Sequence, residues 1–411
     1  MTKILKVAID ARLPDKGQGG VQQVINTLSS GFSELQDKSI ERCWFVLKGS
    51  TWWKNSLPPS DETIEVDPPF GRLSLVVANR FPRLVSLLFP LVSRFTGEQV
   101  PYDQLLQSKG VDVVHLPFQD GFNTKLPVVY HPHDLQHRYF PRNFNGAQIR
   151  HRENVWRVKA FGAKAVMAAS PYVVADLQKY WNVPIDAIRM VPIPPPERTE
   201  TCDSILDGLP ARFILYPAAF WNHKNHKNLL HGLSVLEKLG TKIPLVLVGA
   251  QVGVYAEITQ LIEELKLVNQ VSILGHVSNS ELTSLMKSAQ VVVVPSLFEA
   301  MSLTVWDAQK LGTVVACSAV APFPCQVGNT ALLFDPLDPE SIAQVLSDLW
   351  DDEQLRAELC KAAMERTRGL TARNYVEALI GIYQSVGGAQ PSEASSRAQQ
   401  MLVSSICAEP V

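Results

Sequence analysis

Two carboxylates eight positions apart, Glu299 and Asp307, flank the start of a helix. The four valines 291–294 read as a buried parallel strand. Glu299 falls in the loop after it. Asp307 falls inside the helical stretch 303–311, which Gly312 closes before a β-branched strand at 313–317. In open α/β sheets, ligands bind where a strand's carboxyl end runs into a helix N-terminus. The first turn of such a helix offers unpaired N–H groups to an anion, and carboxylates accept hydrogen bonds from hydroxyls. A ligand with both phosphate and polyol satisfies the two, which describes a nucleotide sugar.

A second candidate is Lys224, just before a helix start at 226–239 and after a strand at 213–219. A lysine there opposes the helix dipole unless an anion is bound, so phosphate is the favoured partner over an idle loop lysine. His133 has three open readings: a satisfied core histidine, one arm of a metal site, or a contact of a transferred sugar. His131, His133, Asp134 and His137 have a spacing that permits zinc, because residues two apart on a strand share a face, although His-x-His alone is weak. Gly17, Gly19 and Gly20 form a turn before a helix, or a dinucleotide-type glycine loop.

The elements that must position these residues alternate. Strands are expected at 4–10, 43–47, 111–116, 127–131 and 165–169, and helices at 21–35, 148–161 and 171–180, with Pro171 at N1 after Ser170. Strand–helix alternation implies parallel sheets covered by helices on both faces. The proline-rich 192–196 and the polar 197–210 read as a linker. A second alternating unit follows from 213 to about 350, with Ser278 and Glu281 as a capping box. Helices at 353–368 and 372–385 close it, and 387–411, rich in Ser, Ala and Gln, reads as a disordered tail. The fold class is therefore α/β, with two Rossmann-like domains at 1–197 and 205–370.

Taken together, these segments resemble retaining glycosyltransferases of family 4, which have the GT-B fold of two Rossmann-like domains facing a central cleft. Pro295-Ser-Leu-Phe-Glu299-Ala-Met-Ser-Leu with Asp307 is similar to the family's Glu, seven residues, Glu signature. Tyr216-Pro-Ala-Ala-Phe-Trp-Asn-His-Lys224-Asn-His looks like its phosphate loop, Gly275-His276 like the turn that contacts the base, Val7 to Arg12 with the glycines like the first strand and its glycine loop, and His133-Asp134 like its His-Asp pair. The resemblance implies Glu299, His133 and Lys224 as catalytic residues. It implies donor contacts from Gly19, Gly20, Asn225, His276, Ala300, Met301, Ser302, Leu303 and Asp307. It also implies a helix at 371–386 that crosses back to the first domain, transfer of a sugar with retention to a saccharide or lipid-linked acceptor, no metal, and no cofactor beyond the nucleotide sugar. The sequence departs from the family pattern at Asp307, which is one methylene shorter than Glu, at Ala300 and Ser302 in place of glycines, at Ala219 in place of an arginine, and at Cys325 in place of a Glu. The context 221–226 loosely resembles members that transfer mannose. The donor remains open between GDP-mannose and a UDP-sugar.

Composition fits. The chain has 411 residues, 46% hydrophobic and 19% charged, with a formal net charge of −2 that argues against general nucleic-acid binding. Six cysteines without C-x-x-C spacing read as reduced thiols, and neither a signal-peptide core nor a span of ~20 apolar residues stands out. A cytoplasmic location is expected, with a peripheral place on the inner membrane face permitted by residues 70–95. That stretch carries Arg72, Arg80, Arg83 and Arg94 among Leu, Val and Phe without an acid, and reads either as helices packed on the first domain or as a surface for anionic membrane. Three other readings stay open: a nucleotide-sugar epimerase, a catalytically silent nucleotide-sugar-binding protein, and a nicotinamide-dependent dehydrogenase.

Overall fold

Valine-rich runs bounded by helices leave the strands no way to pair except in parallel, since each crossover returns the chain to the same sheet end. The computed structural model describes residues 4–15, 19–35, 37–67 and 100–406, and it has this architecture twice. The first sheet contains β1 (Leu5–Asp10), β2 (Ile40–Leu47), β3 (Glu62–Val66), β4 (Val113–Leu116), β5 (Val128–Tyr130), β6 (Ala165–Ala168) and β7 (Ile188–Met190), in the order β3-β2-β1-β4-β5-β6-β7. The second contains β8 (Ile214–Pro217), β9 (Leu245–Val248), β10 (Val271–Gly275), β11 (Val291–Val294), β12 (Val315–Ser318) and β13 (Leu332–Phe334), in the order β10-β9-β8-β11-β12-β13. Each order reverses direction beside its first strand, between β1 and β4 and between β8 and β11. That reversal opens a crevice at the strands' carboxyl ends. All four residues of β9 and of β11 are buried, as expected of strands covered on both faces.

The chain divides into two compact units. One comprises Met1–Ala169, Val173–Ile193 and Ala372–Leu402; the other comprises Ser170–Tyr172, Pro194–Thr371 and the chain from Val403. Within the first unit, the helix Ala372–Val386 packs on the helix Gly19–Leu35. Gly31 makes this approach possible, because a Cβ there would lie 2.3 Å from the carbonyl oxygen of Ala372.

Three features differ from the sequence reading. The stretch 387–411, expected as a disordered tail, carries the helix Glu393–Val403. Its buried Ala398 and Leu402 stand four apart on one face, and Ser395 sits so close to Gly381 that a Cβ on the glycine would meet the serine Cβ at 2.7 Å. A small-residue contact and two apolar positions suffice to dock it despite its polar composition. The helix expected at 148–161 is broken into Gly146–His151, a π-turn at Arg152–Trp156 and Arg157–Gly162. The wide turn places Arg152 over the rings of Phe144 and Trp156, 4.2 Å from each, while the Trp156 indole donates to Asp120 at 2.7 Å. The edge strands β3 and β7 are short, and their sequences, ETIEV and IRM, carry little apolar signal. Residues 70–95 lie outside the described residues. No helix among the described residues is long and apolar enough to cross a membrane.

Candidate functional site

The crevice beside β8 and β11 gathers the charged residues singled out by spacing. These strands pair directly, with Val291 opposite Ile214, so the loops leaving their carboxyl ends run side by side. The loop after β8 ends in a single 3₁₀ turn, Asn222–Lys224, and is fixed from several directions. Tyr216 Oη donates to the Lys224 carbonyl at 2.7 Å, Leu297 N–H donates to the His223 carbonyl at 2.8 Å, and Gly249 packs with no room for a Cβ, which would lie 2.3 Å from Ala218 O. Asn225 follows in the left-handed region at φ 59°, a conformation Asn tolerates better than most residues.

Its side chain does not cap the helix His226–Lys238. Instead, Asn225 Nδ2 donates to the carbonyls of Pro295, at 3.0 Å, and Pro336, at 2.8 Å. The first-turn N–H groups of that helix therefore keep no side-chain cap. The helix Leu303–Lys310 begins in a similar way: Ser302 is its N-cap residue and makes no side-chain cap bond. Two uncapped helix N-termini thus follow the two neighbouring strands, and both favour negative charge.

In the loops that lead into these helices, Lys224 Nζ meets Glu299 Oε1 at 2.5 Å. Both side chains are partly exposed, at 23% and 14%. The ion pair is thus accessible from solvent. Ala300, Met301 and Leu303 are half-buried beside it, and Ser302 is buried. Asp307 sits one turn deeper and is buried. Burial pushes its carboxyl above the usual range, opposed by the guanidinium of Arg198, whose Nε and Nη2 both donate to Oδ2 at 2.9 and 2.7 Å. His276 is exposed at the end of β10, the edge strand two places from β8.

Gly19, Gly20 and His133 belong to the other unit. Gly19, at φ 44°, and Gly20 open the helix after β1, with nothing within 4 Å of where a Cβ would sit. His133 lies in the loop after β5 at φ 62°, and its Nε2 donates to the Pro117 carbonyl at 2.9 Å. Its ring stacks on that of His131 at 4.4 Å, and burial holds the His133 imidazole below its usual pKa. His137 turns elsewhere, with Nε2 at 2.5 Å from Glu153 Oε1. Among the described residues, no group of three or more His, Cys, Asp or Glu is placed to hold a metal ion.

Sequence reasoning missed two residues. Gln326 is fully buried and clamps the backbone of Ser302: its Nε2 donates to Ser302 O at 2.7 Å and its Oε1 accepts from Ser302 N–H at 3.1 Å. Gln326 follows Cys325 at the position discussed above, and Arg366 holds this segment by donating to the carbonyls of Cys325 and Gln326. Arg198 had a visible signal: it is the one basic residue between Arg189 and Arg212, in a stretch holding Glu197, Glu200, Asp203 and Asp207.

Comparison with known proteins bears on this unit directly. Residues 205–366 match the family model of the glycosyl transferases group 1. The O-antigen chain mannosyltransferase B of Escherichia coli is 26% identical over 230 residues, covering 54% of this chain and 60% of that protein. A D-inositol 3-phosphate glycosyltransferase of Paenarthrobacter aurescens is 27% identical over 241 residues, covering 54% and 59%. The chain thus spans less than two thirds of the length of these curated relatives. Among solved structures, the sucrose-phosphate synthase of Thermosynechococcus elongatus superposes with a TM-score of 0.68 at 19% identity, covering 93% of this chain and 99% of that one. HepE of Anabaena, solved in complex with UDP-glucose, gives 0.67 at 16% identity, covering 93% and 100%. These likenesses show the fold alone: two parallel-sheet, Rossmann-like domains of the GT-B type.

Proposed function

We propose that this protein is a glycosyltransferase that moves a sugar from a nucleotide sugar to a hydroxyl of a glycan or lipid-linked saccharide, with retention at the anomeric carbon and without a metal ion. The observation that carries the reading is the Lys224–Glu299 pair, formed by the loops that lead into two uncapped helix N-termini, inside the stretch that matches the group 1 model. In this reading the diphosphate displaces Glu299 from Lys224. The lysine and the two helix starts then stabilise the charge that grows on the leaving group. Glu299, released from the lysine, accepts hydrogen bonds from hydroxyls of the sugar. Asp307 accepts from the ribose. An oxygen of the departing diphosphate takes the acceptor proton, so no protein base is required. With Ala219 where an arginine is common, phosphate binding rests on Lys224 and the helix dipoles.

The test is incubation with labelled GDP-mannose and with labelled UDP-sugars, in the presence of saccharide and lipid-linked acceptors. Product formation with the donor's anomeric configuration kept, read by NMR, and undiminished in EDTA, is the expected result. Inversion, or activity abolished by EDTA and restored by Mn or Mg, would overturn the mechanism. Donor binding without any product favours the catalytically silent alternative, which the replacements at Ala219, Ala300 and Cys325 motivate.

A further inference from the structure

The buried carboxylate of Asp307 is bonded on one oxygen only. Both guanidinium contacts from Arg198 fall on Oδ2, at 2.9 and 2.7 Å. Oδ1 has no hydrogen-bond partner among the described residues, and it is absent from the buried atoms sealed without one. The guanidinium is itself anchored: Nη1 donates to the backbone and side-chain oxygens of Asn279, both at 3.4 Å, at the start of the helix Asn279–Ser288. Nearby, Cys202 N–H donates to Ser284 Oγ on the same helix at 2.9 Å, which ties down the linker that carries Arg198. The ion pair is nearly closed to solvent, with side-chain exposures of 9% and 6%. A carboxylate buried to this degree needs a fixed cation, and a forked guanidinium fixes its orientation as well as its charge.

We infer that Arg198 is the positioning residue of the nucleoside subsite: it holds Asp307 by Oδ2 and so aims Oδ1 at a ribose hydroxyl of the bound nucleotide. This rests on the reading of Asp307 given above and deepens it. Asp is one methylene shorter than Glu, and a shorter arm reaches a hydroxyl in only a narrow range of orientations. Here that orientation is imposed by a side chain from the linker, outside the motif. Arg198 touches no reacting atom, so its effect must pass through Asp307.

The experiment measures binding of UDP, GDP and ADP, and of their 2′,3′-dideoxy counterparts, by calorimetry to the full chain. The variants are Arg198→Met, Asp307→Asn and Arg198→Met/Asp307→Asn, each checked for folding by circular dichroism. The double variant leaves no unpaired buried charge and remains a fair test if Arg198→Met alone folds poorly. The wild type should prefer the ribonucleotide. Arg198→Met should lower ribonucleotide affinity about 10-fold or more and leave dideoxynucleotide affinity nearly unchanged. The double variant should lose no more than Asp307→Asn alone. A pH series adds a readout that mere structural support would not move. Arg198 and Lys310 are the charged groups that oppose the burial of Asp307. Without Arg198 the carboxyl takes up a proton more readily, so the residual preference for ribose should fade as the pH is lowered. If the wild type binds none of the three diphosphates, or binds ribo and dideoxy forms alike, the reading of Asp307 fails and the inference with it. If the wild type discriminates and Arg198→Met discriminates equally well, or if the double variant loses clearly more than Asp307→Asn, the inference alone is overturned.

Discussion

Lys224 Nζ and Glu299 Oε1 lie 2.5 Å apart although 75 residues separate them in the chain, because their loops leave two directly paired strands, β8 and β11. The lysine expected to bind phosphate is thus occupied by the acid expected to bind the sugar. Ligand binding in this reading is an exchange of partners. Glu299→Gln removes the competitor for Lys224. An ion pair this exposed is worth roughly 1 kcal/mol or less. The variant should bind nucleoside diphosphate as tightly as the wild type or up to about fivefold more tightly. Calorimetric titration checks this; a large loss of diphosphate affinity would mean that Glu299 itself helps hold the phosphate.

Lys224→Ala should weaken the nucleoside diphosphate by about 1.5–3 kcal/mol, the range of a charge-assisted hydrogen bond, and leave the free nucleoside nearly unaffected. The position of Lys224 is fixed by Tyr216 and by the left-handed Asn225, so the truncation should not disturb the loop. Equal losses for both ligands would remove Lys224 from the phosphate site.

Glu299→Ala should abolish transfer with the fold intact, since its side chain is partly exposed and its one side-chain partner among the described residues is Lys224. Turnover and circular dichroism together decide this. Near-wild-type turnover would sink its assignment to the reacting sugar.

Much of this was legible in the chain because the relevant signals are local. Four consecutive valines, a Gly after a periodic stretch and a Ser-x-x-Glu box each specify an element within a few residues, and β11, the end of the helix Leu303–Lys310 and the capping box at Ser278 follow. What stayed hidden depends on contacts between distant residues. Nothing near Ser302 indicates that its backbone will be clamped by an amide 24 positions on, and nothing near Asp307 points to a guanidinium 109 positions back. The helix Glu393–Val403 was obscured for a related reason: its polar composition masks two apolar contacts and a serine fitted to Gly381.

Gln326 gives a stability test of the helix start that the proposed site uses. Its amide serves one donor and one acceptor on Ser302, both buried. Gln326→Leu leaves Ser302 N–H unpaired, at a cost of about 1–3 kcal/mol, and leaves Ser302 O with only the long 3.5 Å bond from Trp306 N–H. Gln326→Glu keeps an acceptor for Ser302 N–H but sets a carboxylate against Ser302 O, so it should be no milder. Both variants should lower the urea midpoint and weaken diphosphate binding. Unchanged stability in Gln326→Leu would mean that water or a shifted backbone replaces the clamp at little cost.

Three histidines in the first unit make the protein's stability depend on pH in a defined direction. His115 is held down to about 3 by burial, and burial holds His131 well below its usual value and His133 below it as well. His131 has both ring nitrogens buried without a partner, so nothing stabilises its charged form. A folded-state pKa below that of the unfolded chain, about 6.5, means that the unfolded state binds more protons between the two values. Stability is therefore full above about pH 6.5 and falls as the pH drops from there toward the depressed folded values, with a limiting slope of about 1.4 kcal/mol per pH unit for each such histidine. Replacing His131 with Phe removes one proton-binding site of the unfolded chain and two unpartnered polar atoms. Urea unfolding between pH 5 and 8 should show a shallower acid decline in His131→Phe than in the wild type, with little difference in slope above pH 7. An identical acid decline in the two proteins would show that His131 is not held neutral by the fold.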